Sequence, residues 1–117
     1  MFCVRQFSDV SVVDTNGELS RNNIHDFEIV LESLVQAERH NVVLNFADLK
    51  HLDYRLVQRL ADRIIQFQCD GGDLKMANAS GYVRSIIALM GLEEEFYTSL
   101  EDALLSFVQE GPTGELQ

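Results

Sequence analysis

The sequence predicts an α/β fold: a mixed β-sheet of four to five strands with about four α-helices. Three observations carry that expectation. Short apolar runs of strand length alternate with longer stretches whose apolar residues recur every three or four positions. Turn residues separate most of these segments. After an initial pair of strands, the order runs helix, strand, helix, strand, helix, strand, helix, which right-handed crossovers build into parallel strand pairs. The opening hairpin adds an antiparallel element, so the sheet is mixed.

The first strand is FCVRQF, in which Phe2, Val4 and Phe7 favour extended backbone, and Ser8-Asp9 separates it from VSVVDTNGEL. Asn16-Gly17 reads as a turn, because both residues tolerate positive φ. From Asn23 to Arg39, Phe27, Val30, Leu31, Leu34 and Val35 fall on one helical face; Asn22 or Asn23 caps its start, and Arg39 and His40 suit its negative end. NVVLNF (41–46) has the composition of a strand buried on both faces. A polar link, Ala47 to Asp53, leads to a second helix with Val57, Leu60, Ala61, Ile64 and Ile65 on one side, ended by Gly71-Gly72. DLKMAN is the next strand. Ser80 caps a third helix in which Val83, Ile86, Ile87 and Met90 point inward, and Gly91 stops it. A short extended EFYTSL follows. Ser99, with Asp102 three residues on, opens a last helix that buries Leu100, Leu104, Phe107 and Val108. Residues 1–110 form one domain by this reading, and 111–117 (GPTGELQ) a disordered tail.

A chain of 117 residues, 46% hydrophobic and 24% charged, is long enough for one core without metal or disulfide support. No apolar run reaches the roughly 18 residues of a membrane span. Arg5 and Asp9 interrupt what would have to be a signal segment. The expected location is the cytoplasm, without direct membrane insertion. There the two cysteines, Cys3 and Cys69, are read as small hydrophobes near the core rather than a bridge. A net charge of −10 with nine scattered basic residues argues against nucleic acid as a partner.

Catalytic and metal constellations are thin. His25, His40 and His51 have no ligand-like spacing, no phosphate-binding glycine pattern is present, and Glu93-Glu94-Glu95 lacks the alternation of a calcium loop. His51 with Asp53 is the one near-pair resembling acid–base machinery, and no nucleophile stands beside it in sequence. The expectation is a non-enzyme with no cofactor and no metal. Asp53-Tyr54-Arg55, where a polar stretch becomes a helix, draws attention instead. Asp53 suits the N-cap, and Tyr54 and Arg55 are residue types favoured in protein interfaces.

Several pieces of the chain, in order, resemble the STAS domain family, which includes bacterial anti-sigma factor antagonists and regulatory modules of anion transporters. SDVSVVDTNGEL resembles the family's opening strands. NVVLNFADLKHLD resembles its central strand and the loop ending in Asp. NASGYVRSIIALMGLEEEFYTSLEDAL resembles its ending, where a helix closing in Gly-Leu precedes a short strand and a last helix. In typical members the Asp matching Asp53 is followed by Ser-Ser-Gly or Thr-Ser-Gly, whose first hydroxyl is phosphorylated by a partner anti-sigma factor that is also a kinase. Here Tyr54, Arg55 and Leu56 stand at those positions, and Asn45 and Ala47 replace the usual Asp and Ser. The resemblance therefore implies a partner-switching protein-binding module that lacks the serine switch. Its partner would be an anti-sigma factor/kinase or a signalling-complex subunit. Asp48, Lys50, His51, Asp53, Tyr54, Arg55 and Ser80 would form the partner surface, and a homodimer is compatible with this reading. The alternatives are a STAS-like accessory subunit of a membrane lipid or anion transporter, or a scaffold subunit of a signalling assembly.

Overall fold

The computed structural model describes residues 2–109, with the side chain of Gln109 excepted; the expected tail lies outside the described residues. β1 (Phe2–Phe7) and β2 (Val10–Leu19) pair antiparallel around a tight turn at Ser8-Asp9. There follow α1 (Ile24–Gln36), β3 (Asn41–Leu52), a 3-10 turn (Tyr54–Leu56), α2 (Val57–Cys69), β4 (Asp73–Ala77), α3 (Gly81–Leu89), β5 (Phe96–Tyr97) and α4 (Leu100–Gln109). The strands form one five-stranded sheet in chain order, β1-β2-β3-β4-β5, and the last three pairings are parallel.

Because each crossover moves one strand further in the same direction, α1, α2 and α3 all land on one face of the sheet. Phe27, Leu31 and Leu34 of α1, Leu60, Ile64 and Phe67 of α2, and Val83 and Ile87 of α3 pack there against Val13, Val42, Leu44, Leu74 and Met76. Among the described residues the other face is covered by α4 alone, whose Leu100, Ala103, Leu104 and Phe107 meet Val10, Val12, Val43 and Ala77. The central strand, buried on both faces as NVVLNF predicts, keeps Val42, Val43 and Leu44 fully enclosed. On the α4 side the sheet also carries Lys75. Its Nζ donates to Ser106 Oγ at 2.7 Å and lies 4.2 Å from the Phe107 ring centroid and 5.6 Å from that of Tyr97, so the buried ammonium is met by a hydroxyl and two π faces.

Three helices end alike. The chain turns left-handed at Glu38, Gly71 and Gly91 (φ 60°, 92° and 89°), and the next residue's N–H reaches back five residues, as from Gly72 to the Phe67 carbonyl at 3.0 Å. The caps of α3 and α4 are those the sequence predicts. The Ser80 hydroxyl accepts from the Val83 N–H at 3.1 Å, and the Ser99 hydroxyl from the Asp102 N–H at 3.0 Å.

The structure corrects several expectations. Asn16-Gly17 is no turn; both lie inside β2, opposite Asp48 and Leu49, at register shifts where Gly17 (φ 81°) supplies the irregularity. Ala47–Asp53 is no link, since β3 runs on to Leu52 because β2 continues beside it. α1 stops at Gln36, and Arg39 turns away to the β1–β2 corner, bonding the Gln6 side chain and the Ser8 carbonyl. Asn23 bonds backward to Ser20 and Glu18 instead of capping α1 with its side chain. Ile65 is exposed because it follows Ile64 by one residue, about 100° round from the buried stripe. Met90, just past the end of α3, and Val108 are exposed too. So are Cys3, on the edge strand, and Cys69, the last residue of α2.

Candidate functional site

β4 ends opposite Asn45, so β3 leaves the sheet interior there and continues with β2 alone as a two-stranded ribbon. Along it Phe46, Leu49 and Leu52 are buried, and Asp48, Lys50 and His51 face solvent. The ribbon closes where the Asp53 N–H donates to the Leu19 carbonyl at 2.9 Å.

Asp53 then turns the chain. Its backbone is extended (φ −73°, ψ 119°), and Oδ1 accepts from the Arg55 N–H at 2.9 Å, the capping bond that the residue type predicts. The Arg55 guanidinium folds back on the same carboxylate, Nε to Oδ1 at 3.0 Å and Nη2 to Oδ2 at 2.8 Å. That fork, together with the Arg55 N–H, pulls the Asp53 carboxyl down to about 2. A carboxylate so held is a weak base. Tyr54, between the two, is 56% exposed and its ring lies 5.9 Å from the Arg55 Cζ, while Leu56 turns inward as the anchor of the 3-10 turn.

α3 comes alongside this junction. The Tyr82 hydroxyl and His51 Nδ1 are 3.0 Å apart, and their rings stack at 6.3 Å. Between the two elements lies an open groove of about 490 Å³, whose lining includes Tyr54, Tyr82, Ile86, Leu89 and Met90. Tyr54, Tyr82, Leu89 and Met90 are four of the ten large hydrophobic side chains exposed among the described residues, and Leu89 is 83% exposed. Apolar side chains exposed together in this way are a feature common to interaction surfaces.

The structure therefore brings together His51, Asp53, Tyr54 and Arg55. It leaves Asp48 and Lys50 outside the groove on the ribbon, and Ser80 at its cap on the start of α3. The α3 contribution is what sequence reasoning missed, having assigned Met90 to the interior and Tyr82 and Leu89 to nothing; Ile86 does pack partly against the core, as expected, and also lines the groove. A signal was present: Ile86-Ile87-Ala88-Leu89-Met90 is apolar on all sides, more than one buried face can use. Among the described residues, no group of three His, Cys, Asp or Glu side chains is placed to hold a metal ion, and no helix is long and apolar enough to cross a membrane.

A five-stranded sheet with this order, three helices on one face and one on the other, is matched by known proteins. Residues 2–103 match the model of the STAS domain, and the chain belongs to that family. Among solved structures, a candidate anti-sigma factor antagonist of Thermotoga maritima superposes with a TM-score of 0.83 at 18% identity, over 92% of this chain and 94% of its own. An anti-sigma factor antagonist from Mycobacterium paratuberculosis gives 0.82 at 22%, over 92% and 93%. A chain of the stressosome, described as a signal integration and transduction hub, gives 0.73 at 15%, over 94% and 99%. At these identities the likeness is one of fold. No curated protein matches the sequence itself.

Proposed function

We propose that this STAS domain is a non-enzymatic regulatory module, working in the cytoplasm, that binds a protein partner across the groove between His51–Arg55 and α3. The observation that carries the reading is the convergence of Tyr54, Tyr82, Leu89 and Met90 beside the Asp53 junction. Large aromatic and aliphatic side chains held on a capped 3-10 turn and along α3 suit a docking surface. Two free thiols fit a reducing compartment. That solved relatives include named anti-sigma factor antagonists and a stressosome chain supports an anti-sigma factor/kinase or a signalling-complex subunit as the partner.

Phosphorylation at position 54 is not the switch in this reading. The Arg55 N–H and both arms of its guanidinium, the local donors that would welcome a phosphate, are already taken by the Asp53 carboxylate at the start of the 3-10 turn. Tyr54 holds its hydroxyl at the far end of a rigid ring, out of reach of an active site built for serine.

Affinity capture from the native cell, repeated with Tyr54→Ala and Leu89→Asp, tests the surface. Both substitutions are expected to lose the partner that the parent chain recovers; a partner retained by both places the contact elsewhere. Its identity separates the readings, since a transporter component would favour the accessory-subunit alternative. If that partner is a kinase, incubation with ATP is expected to leave Tyr54 unlabelled, and stoichiometric labelling there would overturn the claim.

A further inference from the structure

We propose that the free edge of β1 is a homodimer interface, at which two copies join their five-stranded sheets into one continuous sheet through antiparallel β1–β1 pairing. Among the described residues β1 pairs with β2 alone and stands at the margin of the sheet. In an antiparallel ladder the N–H and C=O of successive residues point alternately to the two sides, so half of this strand's backbone groups face outward as a template for a further strand.

The devices that normally protect an edge are absent here. β1 has no proline and no lysine, and its register runs unbroken from Phe2↔Thr15 to Phe7↔Val10. Its only charge, Arg5, is neutralised, with Nε on Asp14 Oδ2 at 2.7 Å and Nη2 on Oδ1 at 2.9 Å, and its Cζ lies 5.6 Å from the Phe7 ring centroid. Val4 and Phe7 are each 40% exposed, and Cys3 is exposed beside them. The opposite margin, β5, is only two residues long and offers no comparable template.

The occupant that fits is a second copy of this chain. A two-fold axis perpendicular to the sheet sets antiparallel strands side by side and keeps facing residues on one surface. Centred on Val4, it places Val4 against Val4 of the second copy, Phe2 against Gln6 and Cys3 against Arg5. All of Phe2–Gln6 is then paired, and no like charges face one another. Centred on Arg5 it would oppose two guanidinium groups, and centred on Cys3 it would pair only Phe2–Val4. Charge points to the same edge. The molecule carries −10, yet FCVRQF contains no acidic residue, so this is a margin where two acidic copies can approach. Their remaining long-range repulsion is screened by salt, so the dimer strengthens as ionic strength rises. The same axis reverses strand direction, which turns the two grooves beside Tyr54 toward opposite ends of the dimer.

Sedimentation of the full chain over a concentration series, at about 0.05 M and about 0.5 M salt, tests this. The expected result is a monomer–dimer equilibrium shifted toward dimer at the higher salt. Val4→Lys sets two ammonium groups against each other at the axis and is expected to raise the dissociation constant about tenfold or more. Its circular dichroism should match the parent's, and Val4→Thr should still dimerise. Hydrogen exchange gives a second readout, with β1 amides slower in the parent at high concentration than in Val4→Lys. A parent that stays monomeric throughout, a dimer that survives Val4→Lys, one that weakens with salt, or one abolished by Leu89→Asp would each overturn the proposal.

Discussion

Gly72 offers the sharpest test of how the sheet is joined. A Cβ there would lie 2.0 Å from the His40 carbonyl oxygen and 2.5 Å from its carbon, both backbone atoms of the residue just before β3. To regain 3.4 Å, the near limit of ordinary contact, one chain must retreat by about 1.4 Å. Two hydrogen bonds sit on that spot. The Gly72 N–H closes α2 on Phe67, and the Asp73 N–H donates to the His40 oxygen at 3.0 Å as β4 enters the sheet. Gly71, one residue earlier, is the natural control: its φ is 92° and nothing lies within 4 Å of an added Cβ. Gly71→Ala therefore costs only left-handed strain, about 1–2 kcal/mol. Gly72→Ala forces backbone apart and should cost about 3 kcal/mol or more, the upper end of overpacking effects. With about 4 °C lost per kcal/mol for a domain of this size, the midpoints should fall by about 4–8 °C and by about 12 °C or more. Urea and thermal unfolding followed by circular dichroism measure both. If Gly72→Ala proves no worse than Gly71→Ala, the close approach of these two segments is not what the structure says it is.

Three further outcomes follow from local geometry. The Asp53 carboxyl is held at about 2, below the ordinary 3.8, so the stability it contributes is complete above about pH 4 and is lost as pH falls toward 2. Asp53→Asn should flatten the urea midpoint across that window, and a midpoint that still falls as steeply as the parent's would refute this origin. Lys75→Met keeps the volume and removes the charge, so it should change stability by about 1 kcal/mol or less; Lys75→Ala leaves a cavity between β4 and α4 and should cost about 2–4 kcal/mol by the same assay. Ser80→Ala loses the cap on α3, at about 1 kcal/mol, and hydrogen exchange at the Val83 amide should quicken.

Element type and order were legible because they rest on local patterns. The spacing of Phe27, Leu31 and Leu34 announces α1, the unbroken NVVLNF announces a strand covered on both faces, and Ser80 and Ser99 announce the helices they cap. Junctions that depend on a neighbour were misread. Nothing in ADLKHL distinguishes a polar link from a strand, and it is a strand because β2 continues alongside it. Asn16-Gly17 has the composition of a turn, and becomes an irregularity in a ladder for the same reason. Ile65 and Val108 show the other limit: apolar composition does not say which side of a helix the core will take.

The candidate site divides along the same line. Residue chemistry alone marked Asp53 as a cap and placed Tyr54 and Arg55 at a helix start, because capping is settled within three residues of chain. That the guanidinium of Arg55 returns to Asp53, that Tyr82 reaches His51 from 31 residues away, and that Leu89 and Met90 stay uncovered beside them are products of tertiary packing. Periodicity encodes one buried face for each element. Which faces meet, and which apolar side chains are left over at the seam, is decided only when the crossovers set helix against strand.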